Sequence, residues 1–85
     1  MSRGRCAVPV TLEEAHDLLW RQRPAQDASP GDWAAFHRHS ASVYTQTSEV
    51  DQRHHYEALQ CAGLEIRKAE DIERATRGEE SPRPE

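Results

Sequence analysis

The sequence has few large apolar side chains. Only 35% of its 85 residues are hydrophobic, while 31% are charged. The larger apolar residues are five Leu, four Val, two Ile, two Trp, two Tyr and one Phe. A chain of this length forms one domain at most, and a single core built from this set gives marginal stability. Because oligomerisation is a common remedy for a small core, we expect the protein to self-associate.

Long apolar runs are also missing. No run reaches the length of about 18 residues that a transmembrane helix requires, so we expect no membrane contact. The first five residues include Arg3 and Arg5 and so form a basic segment like the start of a signal peptide, but Glu13 and Glu14 interrupt the apolar stretch that follows. Two cysteines, Cys6 and Cys61, are too few for a disulfide framework. The sequence therefore predicts a cytoplasmic protein with free thiols.

There is no excess of positive charge. The chain carries 11 Lys and Arg against 15 Asp and Glu, which gives a net charge of −4. Nucleic-acid binding depends on a basic surface that neutralises phosphates, so this balance argues against a nucleic-acid partner. The segment 52–77, the candidate recognition helix, holds five basic and five acidic residues. A small regulatory DNA-binding protein stays an alternative, because three helices can form a helix-turn-helix.

The sequence predicts an all-α fold with helices over about 11–23, 30–48 and 52–77. Thr11 and Glu14 have the spacing of a capping box, and Pro24 ends the first helix. Ser29 and Pro30 are typical of an N-cap and a first helical position. Gly78 suits the position after the third helix. Residues 11–77 form a single helical domain in this interpretation, between a disordered tail at 1–10 and an acidic, proline-containing disordered tail at 78–85.

Two features of the predicted second helix allow other interpretations. The stretch 42–47 is rich in β-branched residues and resembles a strand, but it has no partner strand elsewhere in the chain. Neither Gly nor Pro separates Trp33 from Ala62, so a continuous helix is an alternative to a turn. We expect a tight turn at 48–51, with Asp51 capping the third helix, and an antiparallel helical hairpin with the short first helix packed across it.

Apolar and small residues recur every three to four positions from Trp33 to Ile72, which is the spacing of one helix face. Such a face packs against another helix or against a second chain. We interpret it as an interaction seam, and we expect the two tryptophans, Trp20 and Trp33, to be core anchors. The principal seam residues are Trp33, Phe36, Val43, Val50, Leu59 and Ile66.

Five histidines are the compositional feature that most favours a chemical role. A turn centred near residues 49 and 50 would place His37 opposite Ala62 and Cys61, and Phe36 opposite Gly63. Facing helices can supply metal ligands, so the candidates are His37, Cys61, His54 and His55, and a His-based metal-binding sensor is a second alternative function. No three histidines converge in this register, and we therefore predict no cofactor and no metal.

Catalysis has little support in the sequence. Cys61 and His37 are the one nucleophile and base that the hairpin could bring together, and no residue is evident to orient the base or to bind an oxyanion. The four glycines are isolated, so no phosphate-binding loop is present. We predict that the protein is not an enzyme.

One part of the chain resembles a known group of proteins. The run from Trp33 to Ser40, the pairs Val43-Tyr44 and His54-His55, the segment 49–51 and the segment 57–59 are similar to a family of short uncharacterised actinomycete proteins. The resemblance covers about residues 11–73 and implies a bacterial cytoplasmic setting, with no activity attached. The seam, and not the resemblance, leads us to expect a small non-catalytic helical interaction module, whose partner is a second copy or another helical protein.

Overall fold

The computed structural model describes the backbone of residues 10–80 and the side chains of residues 10–77. It contains helices α1 (Leu12–Gln22), α2 (Pro30–Val50) and α3 (His55–Glu80), with a short 3-10 helix at Gln52–His54. The predicted all-α fold is confirmed, and no strand occurs among residues 10–80. The predicted tail segments 1–9 and 81–85 lie outside the described residues.

The predicted helix starts are confirmed in atomic detail. The Thr11 hydroxyl accepts the Glu14 amide hydrogen at 3.0 Å, and the Glu14 carboxylate accepts the Val10 amide hydrogen at 3.1 Å. The Ser29 hydroxyl accepts the Asp32 amide hydrogen at 3.1 Å. These caps satisfy amide groups that have no partner within the helix, which fixes where α1 and α2 begin.

Helix α2 continues through the β-branched stretch, so the strand alternative is wrong. Its hydroxyl side chains find hydrogen-bond acceptors within the helix. Thr45 donates to the Ala41 carbonyl and Thr47 to the Val43 carbonyl, both at 2.9 Å. A buried hydroxyl that donates to the preceding turn needs no partner on another element. Local side-chain bonding therefore allows helix where intrinsic propensity is poor.

The predicted break between α2 and α3 is confirmed, and it lies about three residues later than the predicted turn. Helix α2 runs to Val50, Asp51 follows, and the 3-10 helix leads into α3 at His55. The Asp51 side chain does not cap α3 as expected. Its carboxylate accepts the Leu12 amide hydrogen at 2.8 Å, and so it caps the first turn of α1 instead.

Helices α1 and α3 both run antiparallel to α2. The Ser48 carbonyl accepts a hydrogen bond from His55, while His37 in the first half of α2 bonds to Glu65 further along α3. On the other side, Leu12 at the start of α1 meets Asp51, and Gln22 at its end bonds to His39. The hairpin of α2 and α3 is thus confirmed, with α1 lying along α2.

The core is built from small residues. The alanines at positions 15, 58 and 69 are fully buried, whereas the largest side chains that are fully buried are Thr47 and Ser40. Leu12, Leu19, Val43 and Tyr44 supply the larger apolar side chains of the core. Trp20 does not anchor the core as predicted, because 66% of it is exposed; Leu19 beside it holds α1 in place.

Two further expectations for α3 are wrong. The helix passes through Gly78 and continues to Glu80, so its end is not set by that glycine. Gly63 does not face Phe36: no atom lies within 4 Å of the position that a Cβ would take there. Among residues 10–80, no helix combines the length and the apolar character needed to cross a membrane.

Candidate functional site

A cleft of about 260 Å³ lies where the three helices meet. We call it the three-helix cleft. Helix α2 forms its floor, and α1 and α3 form its walls, because each of them lies along α2. Its apolar lining comes from Leu19, Trp20 and Phe36, and its polar groups include Tyr44, Glu65 and Lys68.

One polar pair in the cleft joins α1 to α2. His16 Nδ1 and the Tyr44 hydroxyl are 2.7 Å apart, and the two rings meet edge to face with centroids 5.4 Å apart. Burial raises the pKa of Tyr44 to about 12, and nearby Cys61 and Glu65 act in the same direction. Tyr44 is therefore a neutral phenol at any physiological pH and retains its proton for hydrogen bonding.

A second polar group joins α2 to α3. His37 Nδ1 donates to Glu65 Oε1 at 2.7 Å, and Lys68 Nζ donates to Glu65 Oε2 at 3.1 Å. Only 14–15% of the His37 and Glu65 side chains is exposed. Each carboxylate oxygen thus has a donor, which is what a largely buried carboxylate requires.

Cys61 and His37 do not form the pair that the sequence allowed. The predicted register placed His37 opposite Ala62 and Cys61, but the connection lies at residues 51–54, later than predicted, and this shifts the contact to Glu65. Burial raises the pKa of the Cys61 thiol, and the carboxylates of Glu65 and Glu57 raise it further. A thiol in this environment is held in its unreactive form, the opposite of an activated nucleophile.

The other two candidate metal ligands, His54 and His55, bond to residues at the turn between α2 and α3. His54 Nδ1 donates to Asp51 Oδ2 at 2.9 Å, and His55 Nδ1 donates to the Ser48 carbonyl at 2.7 Å. The three histidines among the four candidates, His37, His54 and His55, therefore have separate partners. Among residues 10–77, no group of three or more His, Cys, Asp or Glu side chains has the geometry to hold a metal ion.

The predicted seam is divided between the inside and the outside of the hairpin. Val43 is buried, and Trp33, Phe36 and Ile66 are half-buried. Val50 and Leu59 are exposed, by 51% and 41%. On α3, Ala58 faces α2, and Leu59 does not.

The outer side of α3 carries a second candidate site, which we call the α3 outer face. It comprises Tyr56, Leu59, Gly63 and Leu64, all of them exposed. Tyr56 is 79% and Leu64 54% exposed, although both are large apolar side chains. A shallow depression at Gly63 is bordered by Gln60, Leu64 and Arg67.

The sequence did not identify Tyr44 or Glu65 as site residues. Tyr44 lies seven positions after His37, which is two helical turns along the same side of α2, so this spacing could have indicated a shared surface. Glu65 joins them only in the observed register of the hairpin. Without that register, nothing in the sequence distinguishes Glu65 from the other acidic residues of α3.

Comparison of the chain with models of known protein families, with curated proteins and with solved structures finds no match. The resemblance to short actinomycete proteins therefore stays a prediction.

Proposed function

We propose that this protein is a small non-catalytic helical interaction module that self-associates through the α3 outer face. The observation that carries the proposal is that small side chains are buried while large apolar ones are exposed. Small side chains such as Ala58 and Ser40 fill the core, while Tyr56 and Leu64 are exposed. Covering large apolar side chains contributes roughly 25 cal/mol for each Å² removed from water, so a second copy gains most by binding there.

The α3 outer face has the geometry of a helix-pairing surface. At about 100° per residue, Leu59, Tyr56 and Leu64 fall within an arc of roughly 140° around the helix. Gly63 lies inside that arc and has open space above it. A glycine between larger side chains lets a second helix approach closely, with an apolar side chain of the partner filling the depression.

Charge favours a second copy in the antiparallel orientation. When two copies of α3 cross antiparallel about a two-fold axis near residue 62, Glu57 of each chain lies opposite Arg67 of the other. Both residues are exposed and border the α3 outer face. The two-fold symmetry forms this pair twice, as an isologous interface requires. In the parallel orientation each charge would lie opposite its own copy, which is repulsive.

Leu64→Glu tests this proposal, because it places a charge in the proposed interface without disturbing the core. The matched control is Val50→Glu, since Val50 is 51% exposed and Leu64 54%, and both changes add one negative charge. We expect the wild type and Val50→Glu to be dimers by light scattering after gel filtration, and Leu64→Glu to be a helical monomer.

Either of two results would contradict the proposal. One is a Leu64→Glu variant that keeps the mass of the wild type. The other is a Val50→Glu variant that also becomes a monomer, which would move the interface to the end of α2. Circular dichroism on each variant confirms that the helices are intact before the masses are compared.

The two alternative functions, DNA binding and metal sensing by histidines, stay predictions with tests of their own. Salt-dependent retention of random duplex DNA in a gel shift would favour the first. Saturable heat on zinc titration near neutral pH would favour the second. No contact among residues 10–77 specifically supports either function.

A further inference from the structure

We propose that the three-helix cleft binds a small aromatic monocarboxylate. The cleft measures about 260 Å³ and receives residues from all three helices. Pockets for drug-sized ligands begin at about 300 Å³, so this one suits a smaller molecule with one or two rings. The proposal is independent of self-association, since the α3 outer face lies on other residues.

The apolar part of the cleft favours a flat ring. Leu19 and Phe36 line it, and the Trp20 indole stands at its side. Trp20 is 66% exposed, and the Arg23 guanidinium lies 3.7 Å from the centre of its ring. A ligand ring that packs against the indole would cover apolar surface that the folded chain leaves in water.

The charges of the cleft favour a single negative charge on the ligand. Its lining holds two cations, Arg23 and Lys68, and one carboxylate, Glu65. Both oxygens of Glu65 already accept hydrogen bonds, from His37 and Lys68. With the imidazoles neutral, the lining has a net charge of about +1, which attracts a monoanion and repels a cation.

The His16–Tyr44 pair supplies a hydrogen-bond donor in either tautomer. If the Tyr44 hydroxyl donates to His16 Nδ1, the proton of the neutral imidazole is on Nε2 and is spare. If Nδ1 carries that proton and donates to the hydroxyl, the phenolic hydrogen is spare. Both residues line the cleft. In either tautomer, one N–H or O–H group of this pair therefore remains available to donate to an acceptor such as a carboxylate.

The test is an NMR titration of the ¹⁵N-labelled full chain with three probes of similar shape: benzoate, benzamide and benzylamine. We expect saturable amide shifts with benzoate, located on cleft residues of all three helices. Benzamide should bind more weakly, and benzylamine should not bind. Shifts located elsewhere, or equal affinity for benzoate and benzamide, would overturn the proposal, as would the absence of saturation with benzoate.

The variant Lys68→Met provides a second test of the proposal. It removes one cation of the cleft, and because Lys68 is exposed, the change leaves the core intact. The matched control is Arg74→Met, also on α3. Both cations pair with the carboxylate three residues before them, at 3.1 Å and 3.3 Å, and only Lys68 lines the cleft. Loss of an exposed charge pair predicts about two- to five-fold weaker benzoate binding for Lys68→Met and no change for Arg74→Met. Equal affinities in the two variants would overturn the role of Lys68 and with it the assignment of an anionic ligand.

Discussion

Asp51 connects the turn of the hairpin to the first helix. Its carboxylate accepts the Leu12 amide hydrogen across 39 positions of sequence and also accepts a hydrogen bond from His54. A carboxylate at a helix N-terminus interacts favourably with the helix dipole. The Leu12 amide, and then His54, lower the pKa of Asp51 from its ordinary value of 3.8, although its burial acts in the opposite direction.

Asp51→Asn should therefore destabilise the protein most at neutral pH. Because the pKa is lower in the folded state, Asp51 stabilises the fold fully above its ordinary pKa of 3.8, and this contribution is lost as the pH falls from that value through the lowered pKa of the folded state. Urea unfolding followed by circular dichroism should give a lower free energy of unfolding for the variant at pH 7. The difference from wild type should shrink as the medium is made more acidic than about pH 5.

Asp71→Asn is the control for that experiment. Asp71 pairs with Arg74 at 3.3 Å, and both side chains are more than 60% exposed, so its pair contributes little to stability. A wild-type-like profile is expected for this variant. If Asp51→Asn behaves in the same way, the bond from Asp51 to α1 has no energetic importance.

The roles of single residues were predictable where their partners are close in sequence. Thr11 and Ser29 bond to amides three positions away, so a local pattern was enough to identify both as caps. Asp51 was recognised as a cap but assigned to the wrong helix. Its actual partner, Leu12, becomes a neighbour only after the chain has folded, and no local pattern contains that information.

At the scale of elements, α1 depends on a few side chains for its place on α2. Leu19 is 5% exposed and belongs to the core, whereas Trp20 is 66% exposed. Leu19→Ala should lower the free energy of unfolding by about 2–5 kcal/mol, which is typical of a buried leucine. Trp20→Ala should cost only about 0.5–1 kcal/mol, from its contact with Arg23. Urea unfolding of both variants measures the difference, and a larger cost for Trp20 would contradict the observed docking of α1.

The close contact of α2 with α3 depends on small residues. Ala58 is fully buried, so Ala58→Leu should force the two helices apart and cost about 1–3 kcal/mol. Ala35 is exposed on α2, and Ala35→Leu should change stability by less than about 0.5 kcal/mol. Thermal unfolding of the two variants distinguishes a tight hairpin from a loose one, because a loose hairpin would accept leucine equally well at both positions.

The existence of the helices followed from the sequence, but their register did not. Spacing, caps and Pro24 predicted three helices close to those observed. The register depends on where the connection lies, and nothing in the composition of 48–55 indicated that α2 would continue to Val50 and be followed by a 3-10 turn at Gln52–His54. The resulting shift changed the partner of His37 from Cys61 to Glu65. The three-helix cleft could therefore not be predicted from the sequence.

At the scale of the whole molecule, the chain is elongated, with extents of 53 × 27 × 18 Å. A long and thin shape with a core of alanine and hydroxyl residues buries little apolar surface, so we expect the folded monomer to be only marginally stable. The three-to-four-residue spacing of the sequence assigned Leu59 to the seam. The fold instead buries Ala58 and leaves Leu59 on the α3 outer face.

Sedimentation equilibrium of the wild-type protein over a wide range of concentrations is the most direct test of self-association. The account predicts a mass of two chains that persists to low micromolar concentration, with dissociation only on further dilution. A single-chain mass at every concentration, together with cooperative unfolding, would contradict it. In that case the three helices close their own core, and the α3 outer face is not a contact between copies.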